Sequence, residues 1–245
     1  MSFLPQGGLS IIPVTEIGEI QPGDDLARVI LDACQELKTG TSIIEDLDVI
    51  VVTQKIVSKA ENRLVEVDPD DPHSHVPVVR QEAVRVLRTR DTLLITETRH
   101  GFVCANSGVD RSNVDPRYCA LLPLDPDRSA NTIRIRLERE LGITLGVIIS
   151  DTFGRAWRKG LTDVAIGCSG IGAIVDLKGQ LDAMGRELQV TEICVVDELA
   201  GAAELVMGKS SSIPVVIIRG LPKSWFRESK VVDEVVRPAH EDLFR

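Results

Sequence analysis

Positive charge is in short supply in this sequence. Its 245 residues carry 28 Lys and Arg against 37 Asp and Glu, which gives a formal net charge of −9. Surfaces that bind nucleic acids or anionic membranes need clustered cations to neutralise phosphates. The composition therefore argues against both kinds of partner. It leaves room for a small anionic substrate, which needs only a local cationic pocket.

Paired cysteines are also lacking. The five cysteines are widely spaced and form no C-x-x-C motif; they are Cys34, Cys104, Cys119, Cys168 and Cys194. Disulfide frameworks use pairs of cysteines, and zinc sites use closely spaced cysteine and histidine ligands. We therefore expect buried thiols in a reducing cytoplasm.

Long apolar runs are absent as well. No segment approaches the ~20 apolar residues that cross a bilayer. The start of the chain, MSFLPQGGLS, has no cationic segment ahead of an apolar one. We expect a soluble, cytoplasmic protein with no membrane partner. Hydrophobic residues make up 43 % of the chain, which is enough to bury one large core or two smaller ones.

Strand and helix patterns alternate along the chain. Apolar runs rich in β-branched residues predict strands, and apolar residues spaced three or four apart predict helices. The predicted strands cover 9–14, 48–53, 92–96, 145–149, 164–175 and 213–218. The predicted helices cover 26–37 (with Gly40 as its stop), 78–87, 129–141 and 193–207.

The spacing of these elements favours a mixed α+β fold. Several strands crowd near 101–122 and 162–190, which a simple doubly wound sheet does not explain. We expect mixed sheets with packed helices. Residues 1–245 are predicted to form a single unit with at least two sub-domains, whose boundary the sequence does not place.

The stretch from Leu145 to Thr162 combines a predicted buried strand with reactive side chains. Its apolar half leads into Asp151 and Thr152. The cations that follow are Arg155, Arg158 and Lys159. Carboxylate and hydroxyl oxygens suit Mg²⁺ or Mn²⁺, which usually takes one or two carboxylates and leaves its other positions to water and phosphate. A polar turn with a solvated basic patch explains the same stretch equally well.

A second group of candidate ligands follows other predicted strands. Lys55 and Lys59 come directly after strand 48–53, where α/β proteins tend to place ligand contacts. Asp110 offers a carboxylate, and Asn113 offers an amide that both donates and accepts hydrogen bonds. Taken alone, the two lysines are better explained as solvated surface residues.

One further segment resembles the end of a phosphate-binding G-x-x-x-x-G-K-[ST] loop. It consists of Gly208, Lys209 and Ser210. Ala203 stands where that motif requires its first glycine. The segment also follows a predicted helix and precedes a predicted strand, the reverse of the strand–loop–helix order. It is therefore not interpreted as a Walker A loop.

Several blocks along the chain together resemble one known family. The sequence resembles the coenzyme F420-0:γ-glutamyl ligase family, which includes archaeal ligases and the N-terminal half of a longer actinobacterial enzyme. The match covers nearly the whole chain. The blocks are PGDDL (22–26), VSKAENR (57–63), GVDRSNV (108–114), LLPLDPD (121–127), SDTFGRAWRKG (150–160), GRELQVTE (185–192) and IRG (218–220).

The resemblance implies a reaction and a fold. The reaction is GTP-dependent addition of L-glutamate to the phospholactyl end of a deazaflavin, F420-0. It uses Mg²⁺ or Mn²⁺, with up to two ions, and K⁺ is a further candidate. The fold is an unusual mixed α+β arrangement with intertwined sub-domains, in a protein that forms an intertwined homodimer.

The family's functional residues carry over onto this sequence. The resemblance assigns one metal to Asp110 and Asp151, and a second metal site to Thr152. It assigns guanine nucleotide contacts to Glu16, Ile17, Gly18, Glu19, Gln54, Lys55, Lys59 and Asn113. The segment 208–213, with Lys209 and Ser210, lies where the family has a further glycine-rich nucleotide contact.

Arg155 and Arg158 are the candidates for the chemical step. An amide ligase has to activate a carboxylate, and transfer of the γ-phosphoryl group of GTP gives an acyl phosphate. An arginine fork pairs with two oxygens of a phosphate or a carboxylate. Both arginines closely follow Asp151 and Thr152 in the chain, so we assign them to this step.

The sequence departs from the family pattern near the nucleotide and acceptor pockets. Glu16-Ile17-Gly18 replaces Gly-Leu-Pro, Gln54 replaces a serine, Met184 replaces an aromatic residue, and 209–212 is less glycine-rich. The metal aspartates are unaffected. These changes therefore bear on the choice of nucleotide and acceptor more than on the reaction type.

Two other functions use the same residues. A metal-dependent nucleotide phosphohydrolase would release phosphate from GTP without glutamate or deazaflavin. A non-catalytic regulator would bind guanine nucleotide without turnover. Both remain open alternatives to the ligase.

Overall fold

The computed structural model describes residues 7–35 and 42–243. Leu37 and Gly40, at the predicted end of the first helix, lie outside this part of the chain. In chain order the elements are β1 (Ser10–Val14), α1 (Leu26–Ala33), β2 (Val49–Thr53), α2 (Gln54–Ala60), β3 (Leu64–Glu66), α3 (Val76–Glu82), β4 (Ala83–Arg90), β5 (Leu93–Thr98), β6 (Val103–Ala105), β7 (Tyr118–Ala120), α4 (Pro126–Leu141), β8 (Gly146–Arg155), β9 (Arg158–Ser169), β10 (Ile174–Asp176), β11 (Glu192–Cys194), α5 (Val195–Met207), β12 (Val215–Arg219) and α6 (Val231–Glu234).

A five-stranded mixed sheet forms the centre of the fold. Its strand order is β1-β12-β2-β8-β9, and only the β2–β8 pair is parallel. The apolar runs of β2, β8 and β12 are buried almost throughout, as expected for strands covered on both faces. Three smaller antiparallel sheets, β4-β5-β6, β3-β7 and β10-β11, complete the mixed α+β fold that the sequence predicts.

The hairpin formed by β8 and β9 is longer than predicted. Strand β8 continues past Ile149 to Arg155, so Asp151 and Thr152 lie within a strand and not in a loop. The pairing shifts between Ile149 and Ser150, which marks a β-bulge at the point where the buried half of the hairpin ends. The apolar run therefore identified the buried half alone, because the exposed half has no apolar pattern.

Strand β9 lies at one edge of the central sheet, and carboxylates bond to its backbone. The backbone N–H of Ala165 donates to Asp197 at 2.9 Å, and that of Cys168 donates to Asp127 at 2.8 Å. Asp127 also accepts from the backbone N–H of Val231 at 2.8 Å. One side chain thus ties α4, β9 and α6 together.

Helix α4 shows how local sequence sets its ends. Asp125 caps the helix by accepting a hydrogen bond from the backbone N–H of Arg128 at 2.9 Å, and Pro126 occupies the first turn. Gly142 ends it in the left-handed region, with φ of +69°. The apolar face, including Ile133 and Leu137, is buried in the main core.

Two element predictions are wrong in part. The helix expected at 78–87 is α3, which ends at Glu82, and β4 follows at once. The residues of β4 alternate poorly and are mostly exposed, so their pattern favoured neither structure clearly. The strand expected at 164–175 is divided between β9 and β10, because Gly170, with φ of +75°, turns the chain between them.

The apolar side chains of residues 7–35 and 42–243 form two cores. The main core surrounds the central sheet, and a smaller one comprises Val79, Leu94, Val109, Cys119 and Leu121. Trp225 and Phe226 are half-buried against the main core. All five cysteines are free thiols, and four of them are buried, as expected. The division into sub-domains and their intertwining stay predictions.

Candidate active site

The candidate site lies where β2 and β8, the one parallel pair among the described strands, end. Thr53 and Ser150 are paired in register at the ends of that pairing. Side chains that follow the carboxyl ends of neighbouring parallel strands share one edge of a sheet, which is where open α/β sheets bind ligands. Helix α2 follows β2 directly at this edge, and Asp151 follows Ser150. The topology therefore brings together two groups that are far apart in the sequence.

Lys55 and Asp110 form the first part of the site. The ammonium group of Lys55 is paired with Asp110 Oδ2 and donates to the backbone oxygen of Ser112 at 2.9 Å. The backbone N–H of Ser112 donates to Asp110 Oδ1 at 2.7 Å. Burial works to raise the pKa of Asp110, but the charge and hydrogen bond of Lys55 outweigh it, so this pKa lies below its ordinary value. Asp110 is therefore an ionised carboxylate held at a fixed place.

Asp151 is the second carboxylate, and its surroundings are different. The side chain is half-buried. Burial raises the pKa of Asp151 from 3.8 to about 7, against the effects of the Thr152 backbone N–H and of Lys55. The nearby charges of Asp110 and Asp163 raise it further. This carboxylate lacks enough positive charge around it, and a bound cation would supply that charge.

Asp110 and Asp151 fit the chemistry of a Mg²⁺ or Mn²⁺ site, since both offer oxygen ligands. Within residues 7–35 and 42–243, no three Asp, Glu, His or Cys side chains come together as a metal-binding group. Two carboxylates are the usual number where a substrate phosphate completes the coordination of Mg²⁺. The assignment of these residues to a metal stays a prediction.

A buried carboxylate that the sequence reasoning missed, Asp163, organises the Thr152 side of the site. Asp163 is 4 % exposed and accepts hydrogen bonds from Ser150 Oγ at 3.0 Å and Thr152 Oγ1 at 2.6 Å. The ammonium group of Lys209 lies 3.3 Å from Asp163 Oδ1 and also bonds to the hydroxyl of Thr152. An aspartate inside an apolar strand is itself a signal, because buried carboxylates need specific partners.

Lys209 reaches this network from the segment that resembled a phosphate loop. Its ammonium group also pairs with Glu204 at 3.2 Å. Burial works to lower the pKa of Lys209, but Asp163 and Glu204 outweigh it and raise this pKa. The backbone oxygen of Lys209 accepts a hydrogen bond from Asn113 Nδ2 at 3.3 Å. Asn113 thereby joins the two parts of the site, while Ser210 lies exposed beside Lys209.

Helix α2 presents the remaining predicted contacts in two different ways. Lys59 is 8 % exposed, and its ammonium group pairs with Glu19 Oε1 at 2.5 Å, next to the exposed Glu16 and Gly18 and the half-buried Ile17. Gln54 is buried, and its side-chain nitrogen donates to Ser58 Oγ at 2.6 Å and to the backbone oxygen of Leu121 at 3.0 Å. The lysines are thus ordered by carboxylates and are not the freely solvated pair that their sequence alone suggested.

Arg155 and Arg158 lie at the exposed tip of the β8–β9 hairpin. Arg155 donates to the backbone oxygen of Lys159 at 3.2 Å. Both arginine side chains face solvent, beyond Asp151 and Thr152 along the same strand pair. Their part in the chemistry stays a prediction.

Comparison with known proteins gives the class of the protein first. Curated relatives that align with nearly the whole chain are ligases, and this protein is an amide-bond-forming ligase of mixed α+β fold. The chain belongs to the F420-0:Gamma-glutamyl ligase family, whose model matches residues 15–220.

Three relatives named Coenzyme F420:L-glutamate ligase show the extent of the similarity. The protein of Methanothermobacter thermautotrophicus is 40 % identical over 253 aligned positions, covering 97 % of this chain and 99 % of the relative. That of Methanopyrus kandleri is 39 % identical and covers 97 % of this chain and 98 % of the relative. That of Methanocaldococcus jannaschii is 44 % identical and covers 82 % and 86 %.

No helix in the part of the chain that the structure describes is long and apolar enough to cross a membrane.

Proposed function

We propose that this protein is a GTP- and divalent-metal-dependent ligase that adds L-glutamate to coenzyme F420-0 through an acyl phosphate, in coenzyme F420 biosynthesis. One observation supports the chemistry beyond family membership. Where the parallel strands end, the ammonium group of Lys55 pairs with Asp110 and its charge acts on Asp151, with Lys209 close by at Thr152. Carboxylates and cations at one place suit a reaction in which a phosphoryl group moves between oxygens.

Asp110 and Asp151 would hold the first metal ion, and the Thr152 hydroxyl would bind a second. K⁺ is a further candidate ion. When bound, Mg²⁺ or Mn²⁺ would supply positive charge to the phosphate oxygens of the nucleotide. Lys55 already lies on the oxygens of Asp110, so metal binding would require this ammonium group to share the carboxylate or to move onto a phosphate.

The lysines would provide the main contacts to the nucleotide phosphates. Lys55, Lys59 and Lys209 are held near the site by carboxylates, and each could exchange that partner for a phosphate oxygen. Such an exchange replaces one charge pair by another. The free energy needed to order the lysine at the phosphate is therefore lower than for a lysine that starts in solvent. The other proposed nucleotide contacts are Glu16, Ile17, Gly18, Glu19, Gln54, Asn113 and Ser210.

The reaction would take place in two steps. A carboxylate oxygen of the acceptor forms a bond to the γ-phosphorus as the bond to GDP breaks, which gives an acyl phosphate. The amino nitrogen of glutamate then bonds to the acyl carbon and loses a proton, and inorganic phosphate leaves. Arg155 and Arg158 are proposed to pair with the oxygens whose charge changes in these steps.

We also propose that the protein works in the cytoplasm as a homodimer. Trp157 and Leu161, on the hairpin tip, are 83 % and 68 % exposed, and burying such side chains against a partner would be favourable. Sedimentation should show a dimer at micromolar concentration. A monomer alone would contradict this part of the proposal.

The test of the function is a mass-spectrometric assay of metal-stripped protein with GTP, Mn²⁺, L-glutamate and F420-0. The expected product is F420-0 extended by one glutamate, formed together with GDP and phosphate and lost when any component is left out. Replacing GTP by ATP tests the nucleotide.

The two alternatives give different results in the same assay. Phosphate release from GTP without glutamate or F420-0 would indicate a phosphohydrolase. Nucleotide binding without any product would indicate a regulator.

A further inference from the structure

A separate cavity lies beside the candidate active site. Its volume is about 280 Å³, near the lower limit of roughly 300 Å³ for small-ligand sites. Its lining includes Phe102 and Val103, Phe153 of β8, and Val235 from the segment after α6. Apolar groups thus line an open cavity that can take part of a flat ring system.

The cavity and Asp151 lie on the same face of the β8–β9 hairpin. Side chains alternate between the two faces of a strand, so Asp151 and Phe153 share one face, about 7 Å apart along the strand. Val164 pairs with Asp151 across the hairpin and also lines the cavity. A molecule with one end in the cavity can therefore extend along this face of the hairpin towards Asp151.

Two of the few aromatic side chains of this protein, Phe102 and Phe153, line this cavity. The whole chain has only five Phe, two Trp and one Tyr. Phe102 and Phe153 nevertheless meet edge to face, with ring centroids 6.1 Å apart, and His100 stacks on Phe102 with centroids 5.4 Å apart. Such ring clusters provide a surface on which another flat aromatic ring packs favourably.

Two polar groups border the apolar surface. The carboxylate of Asp197 accepts from the Ala165 backbone N–H at 2.9 Å and retains further acceptor sites. Arg237 is exposed and forms no salt bridge with any residue of the described chain. One acceptor and one donor at the border of an apolar cavity match a heterocycle that has both an imide N–H and carbonyl oxygens.

A larger cavity of about 420 Å³ lies between α1 and α4, but its lining is different. It has no aromatic side chain, and charged groups such as Arg128 and the Arg136–Asp25 pair border it. It does not offer a flat ring a stacking surface.

We infer that the cavity at Phe102 and Phe153 binds the flat aromatic heterocycle of the acceptor, while the acceptor's reacting carboxylate lies at Asp151. The inference rests on the proposed function, since it takes the acceptor to be a deazaflavin with a phosphate-linked tail. Asp197 accepts the ring's imide N–H, and Arg237 donates to a ring carbonyl.

The test is Val103→Trp, which fills the cavity from an exposed strand position without removing any core side chain. The matched control is Val84→Trp, at an exposed valine on β4 of the same small sheet but away from the cavity. The probe is the ring-and-ribitol fragment of F420-0, which lacks the phospholactyl tail. Its binding is followed by fluorescence and requires neither GTP nor metal.

Val103→Trp should weaken fragment binding by roughly tenfold or more, because the added ring occupies its space. Val84→Trp should bind as the wild type does. Arg237→Ala, in an exposed position where folding is not at risk, should weaken binding by about threefold to tenfold. Unchanged binding in both Val103→Trp and Arg237→Ala, or no binding of the fragment to the wild type, would overturn the inference.

The outcome is separable from that of the proposed function. Fragment binding that is sensitive to Val103→Trp, in a protein that forms no glutamylated product, would uphold the cavity and reject the ligase reaction. Product formation with a KM for F420-0 unchanged by Val103→Trp would uphold the ligase reaction and reject the cavity as the binding site of the ring.

Discussion

The two halves of the β8–β9 hairpin differ in burial and in the contacts that fix their position. In the buried half, Ile148 and Ile149 are fully buried, and the strands pair with neighbours in a sheet. In the exposed half, Arg155 and Arg158 face water at the tip. Asp151 and Thr152 lie at the boundary between the two. A rigid base therefore carries the groups that must be positioned, and the tip carries groups that can adjust to a substrate.

The largest effect is expected from the carboxylates of the candidate metal site, one of which, Asp151, lies at the boundary between the two halves. Asp151→Asn and Asp110→Asn should each abolish turnover while the protein stays folded, because each change removes a charged oxygen ligand without creating a cavity. Activity across a Mn²⁺ titration, together with a melting curve, measures both effects. Near-native activity in either variant would reject the metal assignment.

The next largest effect is expected in the buried half. Asp163→Ala should lower the free energy of unfolding by about 2–4 kcal/mol, because the buried hydroxyl of Ser150 and that of Thr152 lose their acceptor. Urea unfolding measures it. The control is Asp70→Ala, in an exposed loop, which should change stability by no more than about 0.5 kcal/mol. Equal stability of the two variants would show that this network does not hold the hairpin.

In the exposed half of the hairpin, substitutions should lower activity and leave stability unchanged. Arg155→Lys and Arg158→Lys should leave the melting temperature unchanged and lower kcat by roughly tenfold, since lysine keeps the charge but loses the paired geometry. Arg139→Lys, at an exposed position on α4, is the control. If both tip variants keep wild-type kcat and wild-type KM for glutamate and F420-0, the tip takes no part in the chemistry.

The stability of the protein should also depend on pH because of Asp151, at the boundary. The pKa of Asp151 is raised from 3.8 to about 7 on folding, so the folded state binds this proton more tightly than the unfolded state. The resulting stabilisation is complete below pH 3.8 and is lost as the pH rises to about 7.

Urea unfolding of metal-free protein between pH 5 and pH 8 should show this loss, and Asp151→Asn should show less of it. Mn²⁺ should restore stability most at the upper end of this range, where the carboxylate is ionised. An identical pH profile in wild type and Asp151→Asn would contradict the assignment.

The sequence predicted the elements whose local and tertiary signals agree. The runs at 48–53 and 145–149 are continuous and apolar, and they became β2 and β8. Helix α4 has a cap, a proline and a terminal glycine at the expected places. The boundary between α3 and β4 was missed, because β4 is mostly exposed and its pairing with β5 comes from distant residues.

Much of the candidate site was predicted from the resemblance, but its internal contacts were not. Asp163 was missed because its partners lie on another strand and on a distant loop. The resemblance assigns Gln54 a nucleotide contact, and the structure adds that its side chain is bonded to Ser58 and to the backbone oxygen of Leu121. Only the three-dimensional arrangement shows these contacts.

The carboxylates that accept hydrogen bonds from the backbone of β9 have a consequence for aggregation. An edge strand with unpaired N–H groups can accept a strand from another molecule. Here Asp197 and Asp127 already bond to the N–H groups of Ala165 and Cys168. At the opposite edge, β1 contains Pro13, which has no N–H to offer. An incoming strand would have to displace these carboxylates at one edge and lose a hydrogen bond at the other, so the central sheet resists growing into fibrils.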